Sequence, residues 1–476
     1  MKDNNFTITL DKFYQGYSPL AFQNSLTEYG GVGHASVMTN VDVINGDYLT
    51  QGPALSTLTN GATTELIQYI MDRAVASSVT YGIGTSKLFK ITPTTVTSDG
   101  TFPHAIANCT DGESVVDLNG VLYYFYNKAS GGDIGTFDLN STFDDDWGSS
   151  TDAALQKAPH PVATKEDIMV FGNGQYLGAL VGATLDVQKL DFGDNREVAD
   201  VLFNANKWWI AVNSGITGTN RTEGQIYLYD GGALSSVLDD ETGVGVQRIG
   251  FLYRLNGIIY VAYQDLSSAG FIIGYISGTQ IKPLSRFTGD LPNFAQKTLY
   301  KSTILFLSSG LVFSAGALIP DLPFQLSQIA DGGFTTVGAI AAPFGTPMIS
   351  STQTVSEVTS YKIAKFSGYD TNCSWKSIIF PVSLGKMKGY IDDVVVLTKA
   401  LGANARADLT IEADQAVTTS NSMSITGTGK TRHLFSATGL SGIEDFRVAL
   451  SWANGNATND CPIRKILIQG HFEENA

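Results

Sequence analysis

The stretch Val201 to Gly232, VLFNANKWWIAVNSGITGTNRTEGQIYLYDGG, decides the fold. A first strand ends at the turn Asn204-Ala205-Asn206. The aromatic and β-branched run Lys207 to Val212 makes a second strand, and Gln225 to Tyr229 a third, before Asp230-Gly231-Gly232. Apolar runs bounded by Asn, Asp and Gly are a strand signal. A unit this small cannot bury both faces alone, so it needs neighbours of its own kind.

Such neighbours recur. Turns between first and second strands are expected near Val75, at Asn119-Gly120, Asn173-Gly174, Ala205-Asn206, Asn256-Gly257, Lys301-Ser302 and Gly345-Thr346. Asn-Gly is the strongest two-residue hairpin signal. Third strands end near Ile91, Leu139, Phe192, Tyr229, Ile276, Phe313 and Phe366, about 46 residues apart on average, a spacing typical of propeller blades, which are four-stranded antiparallel sheets set radially around an axis. Blades bury both faces, and VLYYFYN from Val121, IIYVAYQ from Ile258 and TILFLSS from Thr303 lack strict alternation accordingly. Seven units are counted, and a six-bladed ring stays open because the last unit diverges.

One local pattern competes. Glu65 to Ala76 has apolar residues at Leu66, Ile67, Ile70, Met71 and Ala74, a helical spacing. Its place in the repeat makes it the first strand of the first blade. Between blades, Gly148 to Pro161 and Val237 to Val246 are expected to be irregular connections.

The fold class expected is therefore all-β. An extended N-terminal arm (1–60) precedes a β-propeller (61–383), and a small C-terminal β-sandwich (384–476) follows. Within the last segment Ala407, Leu409 and Ile411 alternate with Asp408, Thr410 and Glu412, as in a strand with one wet face.

Composition bounds function. The 476 residues are 43% hydrophobic and 16% charged, a folded chain of two or three domains. A formal charge of −15 argues against stable nucleic-acid binding, which needs excess Lys and Arg. Cys109, Cys373 and Cys461 lack a CxxC pair and are expected to be free thiols. No apolar segment follows Met1 as a secretory signal would, and no run is long enough to span a membrane.

The search for chemistry is mostly negative. His34, His104, His160, His433 and His471 form no zinc motif, and the closely spaced Gly30, Gly31 and Gly33 are no dinucleotide fingerprint. Asp144-Asp145-Asp146 and Asp239-Asp240-Glu241 lack the alternate spacing of a calcium loop and are expected to be solvated turns. Trp208-Trp209 could stack on a sugar but is expected in the core. No catalytic, cofactor-binding or metal residue is assigned, and no cofactor is expected.

The order of parts carries a resemblance. QGYSP, GGVGHAS, NVDV and LTQGPAL in the arm, then the propeller, then WKSIIFPVSLGKMKGYIDDVVVL leading into the sandwich, resemble structural virion proteins of tailed bacteriophages. The resemblance implies a non-enzymatic part of the tail or tail attachment, nozzle-like, made in the host cytoplasm. It implies several symmetric copies and partners among other virion proteins. A first alternative is a glycan- or receptor-binding module using Tyr227, Tyr229 and Trp147. A second is a polysaccharide hydrolase with carboxylates converging at the axis, for which Glu113 and Asp167 are candidates.

Overall fold

Alternating burial along Arg406–Ala413, with Ala407, Leu409, Ile411 and Ala413 buried, is the simplest element of the chain to derive. It is one strand of a two-sheet unit. The computed structural model describes residues 5–11, 13, 35–43, 48–58, 63–75, 78–214, 223–237, 246–265, 270–301, 303–316, 325–382, 387–414 and 420–474. The fold is all-β, with a single short helix, Trp147–Thr151, among the described residues. Contacts divide the chain into two units: Met1–Leu55, Val312–Gly332 and Phe366–Ala476 form one, and Ser56–Leu311 with Gly333–Lys365 the other.

In the first unit, one sheet has the order Asn5–Leu10, Ile463–Glu474, Met387–Thr398, Arg432–Ile443. The other runs Ala35–Thr39, Ser374–Ser377, Asp445–Ser451, Arg406–Ala413, Ser420–Thr426. Trp375, Trp452, Leu409, Val394 and Ile466 share one core.

The division expected at residues 60 and 383 does not coincide with these units. Asn5–Leu10 pairs antiparallel with the last strand, and Ala35–Thr39 pairs with Ser374–Ser377. These described parts of the expected arm are edge strands of a sandwich, completed from both ends of the chain. QGYSP, the glycines at 30, 31 and 33, and His34 lie outside the described residues.

The second unit consists of seven antiparallel groups in chain order. Five are four-stranded meanders, and their first strands are Ile67–Ile70, Asp111–Leu118, Val162–Lys165, Arg196–Asn204 and Val246–Leu255. The sixth group holds the hairpin Lys297–Tyr300 and Thr303–Ser308. The seventh holds Thr336–Ala341, Met348–Val355 and Val358–Tyr369. Each group touches the next, and Thr336–Ala341 in the seventh touches Ile67–Ile70 in the first. The segment preceding the first group also lies on the seventh, where Leu58 N donates to Ile363 O at 2.9 Å and Thr63 bridges Tyr361.

Glu65 to Ala76 contains a strand at Ile67–Ile70 in place of a helix, because pairing with Thr80–Gly84 satisfies its backbone. Asn119-Gly120 and Asn256-Gly257 turn with positive φ at both residues, as the tightest hairpins require. Asn173-Gly174 is a correction. It joins the second strand, Ile168–Asn173, to the third, Tyr176–Val181, while the first hairpin turns at Glu166-Asp167 without glycine. Phe192 accordingly follows the fourth strand of its group. Gly148 to Pro161 is not wholly irregular, since it contains most of the helix, whose Ser149 N donates to Asp133 Oδ1 at 2.8 Å.

Candidate functional site

The first strands of five groups carry a β-bulge, each interrupting the pairing with the second strand. The residues at these shifts include Gln68, Glu113, Ala199, Gly250 and, in the seventh group, the pair Gly338 and Ala339. A bulge re-aims side chains, and Gln68, Glu113, Ala199, Gly250 and Gly338 all line one cavity of about 410 Å³ in the larger unit. Glycine is required where groups approach most closely. A Cβ on Gly112 would lie 2.2 Å from Gly84 O, and one on Gly338 would lie 2.2 Å from Ile67 O.

Polar side chains in the cavity mostly tie one group to the next. Gln68 donates to the Asp111 carboxylate and accepts from Gly112 N at 2.9 Å. Asn127 donates to Glu113 Oε1 at 2.7 Å and to Ala158 O at 3.1 Å. Asn213 donates to Ile249 O at 2.9 Å and accepts from Ile249 N at 2.8 Å. Glu113 is half-buried where it lines the cavity. Burial, and then the Asp111 carboxylate, push its pKa up to about 9. Burial also raises Glu197, against the pull of Arg248.

A second polar layer lies further along the same first strands. Lys297 Nζ pairs with Asp200 and donates to Leu252 O at 2.7 Å. Asp200 also accepts from Leu252 N at 2.6 Å and Val201 N at 2.9 Å. Burial pushes the Asp200 carboxyl up and the Lys297 ammonium down, and their mutual attraction opposes both shifts. Asp72 accepts from Thr298 Oγ1 and Ala342 N, both at 2.6 Å.

The other sequence candidates are dispersed. Asp167 sits exposed in a turn, away from the cavity that Glu113 lines. Tyr227 OH accepts from Arg196 Nη1 at 2.5 Å, Tyr229 OH donates to Gly231 O at 2.9 Å, and Trp147 packs edge-on to Tyr123. Trp208 is buried against Phe203, as expected of a core residue. Asp145 is not a freely solvated turn residue, since it accepts from Tyr124 OH at 2.5 Å and Ala107 N at 2.9 Å and meets His104 Nε2 at 3.0 Å. His160 is fully buried with Nδ1 2.8 Å from Gly172 O, and burial lowers its pKa to about 4. His433 is buried beside Thr398, and His471 lies between Asp392 and Glu473. All three cysteines are free. Among the described residues no group of His, Cys, Asp and Glu is placed to hold a metal, and no helix is long and apolar enough to cross a membrane. Asp239-Asp240-Glu241 lies outside the described residues.

Sequence reasoning singled out Glu113 but missed Gln68, Glu197, Asn213 and Arg248. The available signal was a bulge-prone glycine near a polar residue, as in Asp111-Gly112-Glu113 and Arg248-Ile249-Gly250.

No family model and no curated protein matches the chain. Among solved structures it is similar to the extracellular domain of a protein assigned to the hybrid two component systems of B. thetaiotaomicron. Identity there is 11% and the TM-score 0.47, over 74% of this chain and 43% of that one. It is also similar to an exo-beta-1,3-galactanase from Phanerochaete chrysosporium, at 9% identity and TM-score 0.30, over 88% of this chain and 100% of that one. A computationally designed protein, Ika8, matches at 11% identity and TM-score 0.35, over 67% and 100%. Likenesses this distant carry no argument about activity.

Glu113 gives a pH prediction. Its folded pKa of about 9 stands above the unfolded carboxyl's 4.5. Its contribution to stability is therefore fully present below pH 4.5 and is lost as pH rises through about 9. Glu113→Gln stays neutral throughout. Urea titrations should find the variant and the parent alike near pH 4, and the variant more stable on the order of 1–2 kcal/mol near pH 9, after allowing for water in the cavity. Parallel stability curves would refute the assignment.

Proposed function

We propose that this chain is a non-enzymatic structural protein of a tailed-phage virion, a tail or tail-attachment part present in several symmetric copies. In this reading the larger unit is a seven-bladed propeller, closed where the segment at Leu58 and Thr63 lies on the seventh group. The observation that carries the structural role is where the chemistry is spent. Gln68 with Asp111, Asn213 with Ile249 and Lys297 with Asp200 each bond one blade to another, while Asn127 holds Glu113 within one blade and bonds Ala158 in the connection to the next. The resemblance in layout supplies the virion, and its partners are other virion proteins and further copies of the chain. In this reading the copies surround a DNA passage. The acidic balance of the chain then faces that passage, where like charge keeps DNA from sticking.

A mass-spectrometric census of purified particles from the phage that encodes this chain tests the proposal. The chain should be present at a fixed multiple per particle; its absence from purified particles would reject the role.

One observation favours a second reading. A carboxyl that keeps its proton at neutral pH beside the Asp111 carboxylate is the pairing a polysaccharide hydrolase uses. Cleavage of host envelope polysaccharide that disappears in Glu113→Gln would select that reading over the first.

A further inference from the structure

Two charged side chains in the cavity are left over from the bonding between blades. Glu197 is half-buried and Arg248 exposed, and both line the cavity. Neither makes a hydrogen bond or an ion pair with any described residue, although the guanidinium is near enough to act on the carboxyl. Asp111 and Glu113, by contrast, are engaged by Gln68 and Asn127. A guanidinium only donates and a carboxylate only accepts. A group that bridges them must accept from one and donate to the other, which a hydroxyl does. An ammonium satisfies the carboxylate alone, and a phosphate the guanidinium alone.

The rest of the cavity suits a ring bearing several hydroxyls. Half-buried Phe294 and Leu291 offer apolar faces, and Gln296 an amide that also accepts from Asn293 N and donates to Val337 O. The volume of about 410 Å³ falls within the range of small-molecule pockets and leaves room for a single ring. We infer that the cavity binds one neutral sugar ring, gripped through its hydroxyls by Glu197 and Arg248. This site is independent of the virion role: a structural protein and a hydrolase could both carry it.

The test uses the full chain. D-galactose, D-glucose, D-mannose and N-acetylglucosamine are screened free in solution by saturation-transfer NMR, and as terminal residues on a glycan array. Spermidine and inorganic phosphate are the competing probes. At least one sugar should bind, and Arg248→Ala and Glu197→Ala should each weaken binding about tenfold or more. Val355→Ser, at a side chain 61% exposed on a hairpin tip, should leave binding unchanged. Unaltered melting transitions confirm that the variants fold. Binding of free sugar means that the ring alone suffices, and array-only binding means that the glycan beyond it contributes. The inference is overturned if no sugar binds in either format, if both alanine variants bind as the parent does, or if only spermidine or phosphate binds.

Discussion

Lys297→Ala should destabilise the larger unit by roughly 3–5 kcal/mol, the usual cost of removing one partner from a buried ion pair. Asp200 is 3% exposed, and its carboxylate is held by Lys297 together with the backbone N–H groups of Leu252 and Val201. Without the ammonium a buried charge remains that two amides cannot offset, and Leu252 O loses a donor. The Asp200 carboxyl, already raised by burial, would rise further. Stability of the variant should therefore fall more steeply than the parent's as pH rises above the unfolded carboxylate range. Lys297→Met combined with Asp200→Leu should recover much of the loss, since an apolar pair leaves no unpaired charge. Urea denaturation of the parent, Lys297→Met, Asp200→Leu and the double variant measures this coupling. A cost below about 1 kcal/mol for Lys297→Ala would mean that the pair is solvated.

The second large effect is steric. Gly250→Ala places a Cβ 2.1 Å from Pro292 O and 2.8 Å from Leu291 Cγ, at the bulge where the fifth group meets the sixth. The first obstacle is backbone, so the strand and the connection that carries Pro292 must move apart. The cost should be about 3 kcal/mol, at the upper end of ordinary overpacking. Gly257→Asn is the matched comparison. Gly257 has φ of 80° with nothing within 4 Å of its missing Cβ, and asparagine tolerates that conformation. Thermal melts should show a large loss for the first and little change for the second. Equal losses would mean that backbone freedom, and not close approach between groups, selects these glycines.

Period-two alternation in Arg406–Ala413 and the Asn-Gly turns at 119 and 256 were legible because local chemistry dictates local geometry there. The turn at Glu166-Asp167 was not, since neither residue signals a hairpin, and Asn173-Gly174 drew the register one strand too far. The helical spacing of Glu65 to Ala76 yields to pairing with Thr80–Gly84, which no local pattern encodes. The N-terminal strands escaped notice because their partners lie more than three hundred residues away, as in the pairing of Thr39 with Ser374. The cavity was least legible. Its lining depends on bulges in first strands drawn from several groups, so Glu113 could be suspected while Glu197, Arg248 and Asn213 could not be brought to the same place.

The central claim is that β-groups of similar length surround a common axis and are held there by polar bonds between them. A cryo-EM map of the full chain tests it most directly. Seven radial sheets should appear in the larger unit, with density from Lys297 continuous to Asp200 across the axis. Six sheets, an open arc, or a side chain of Lys297 pointing into solvent would contradict it.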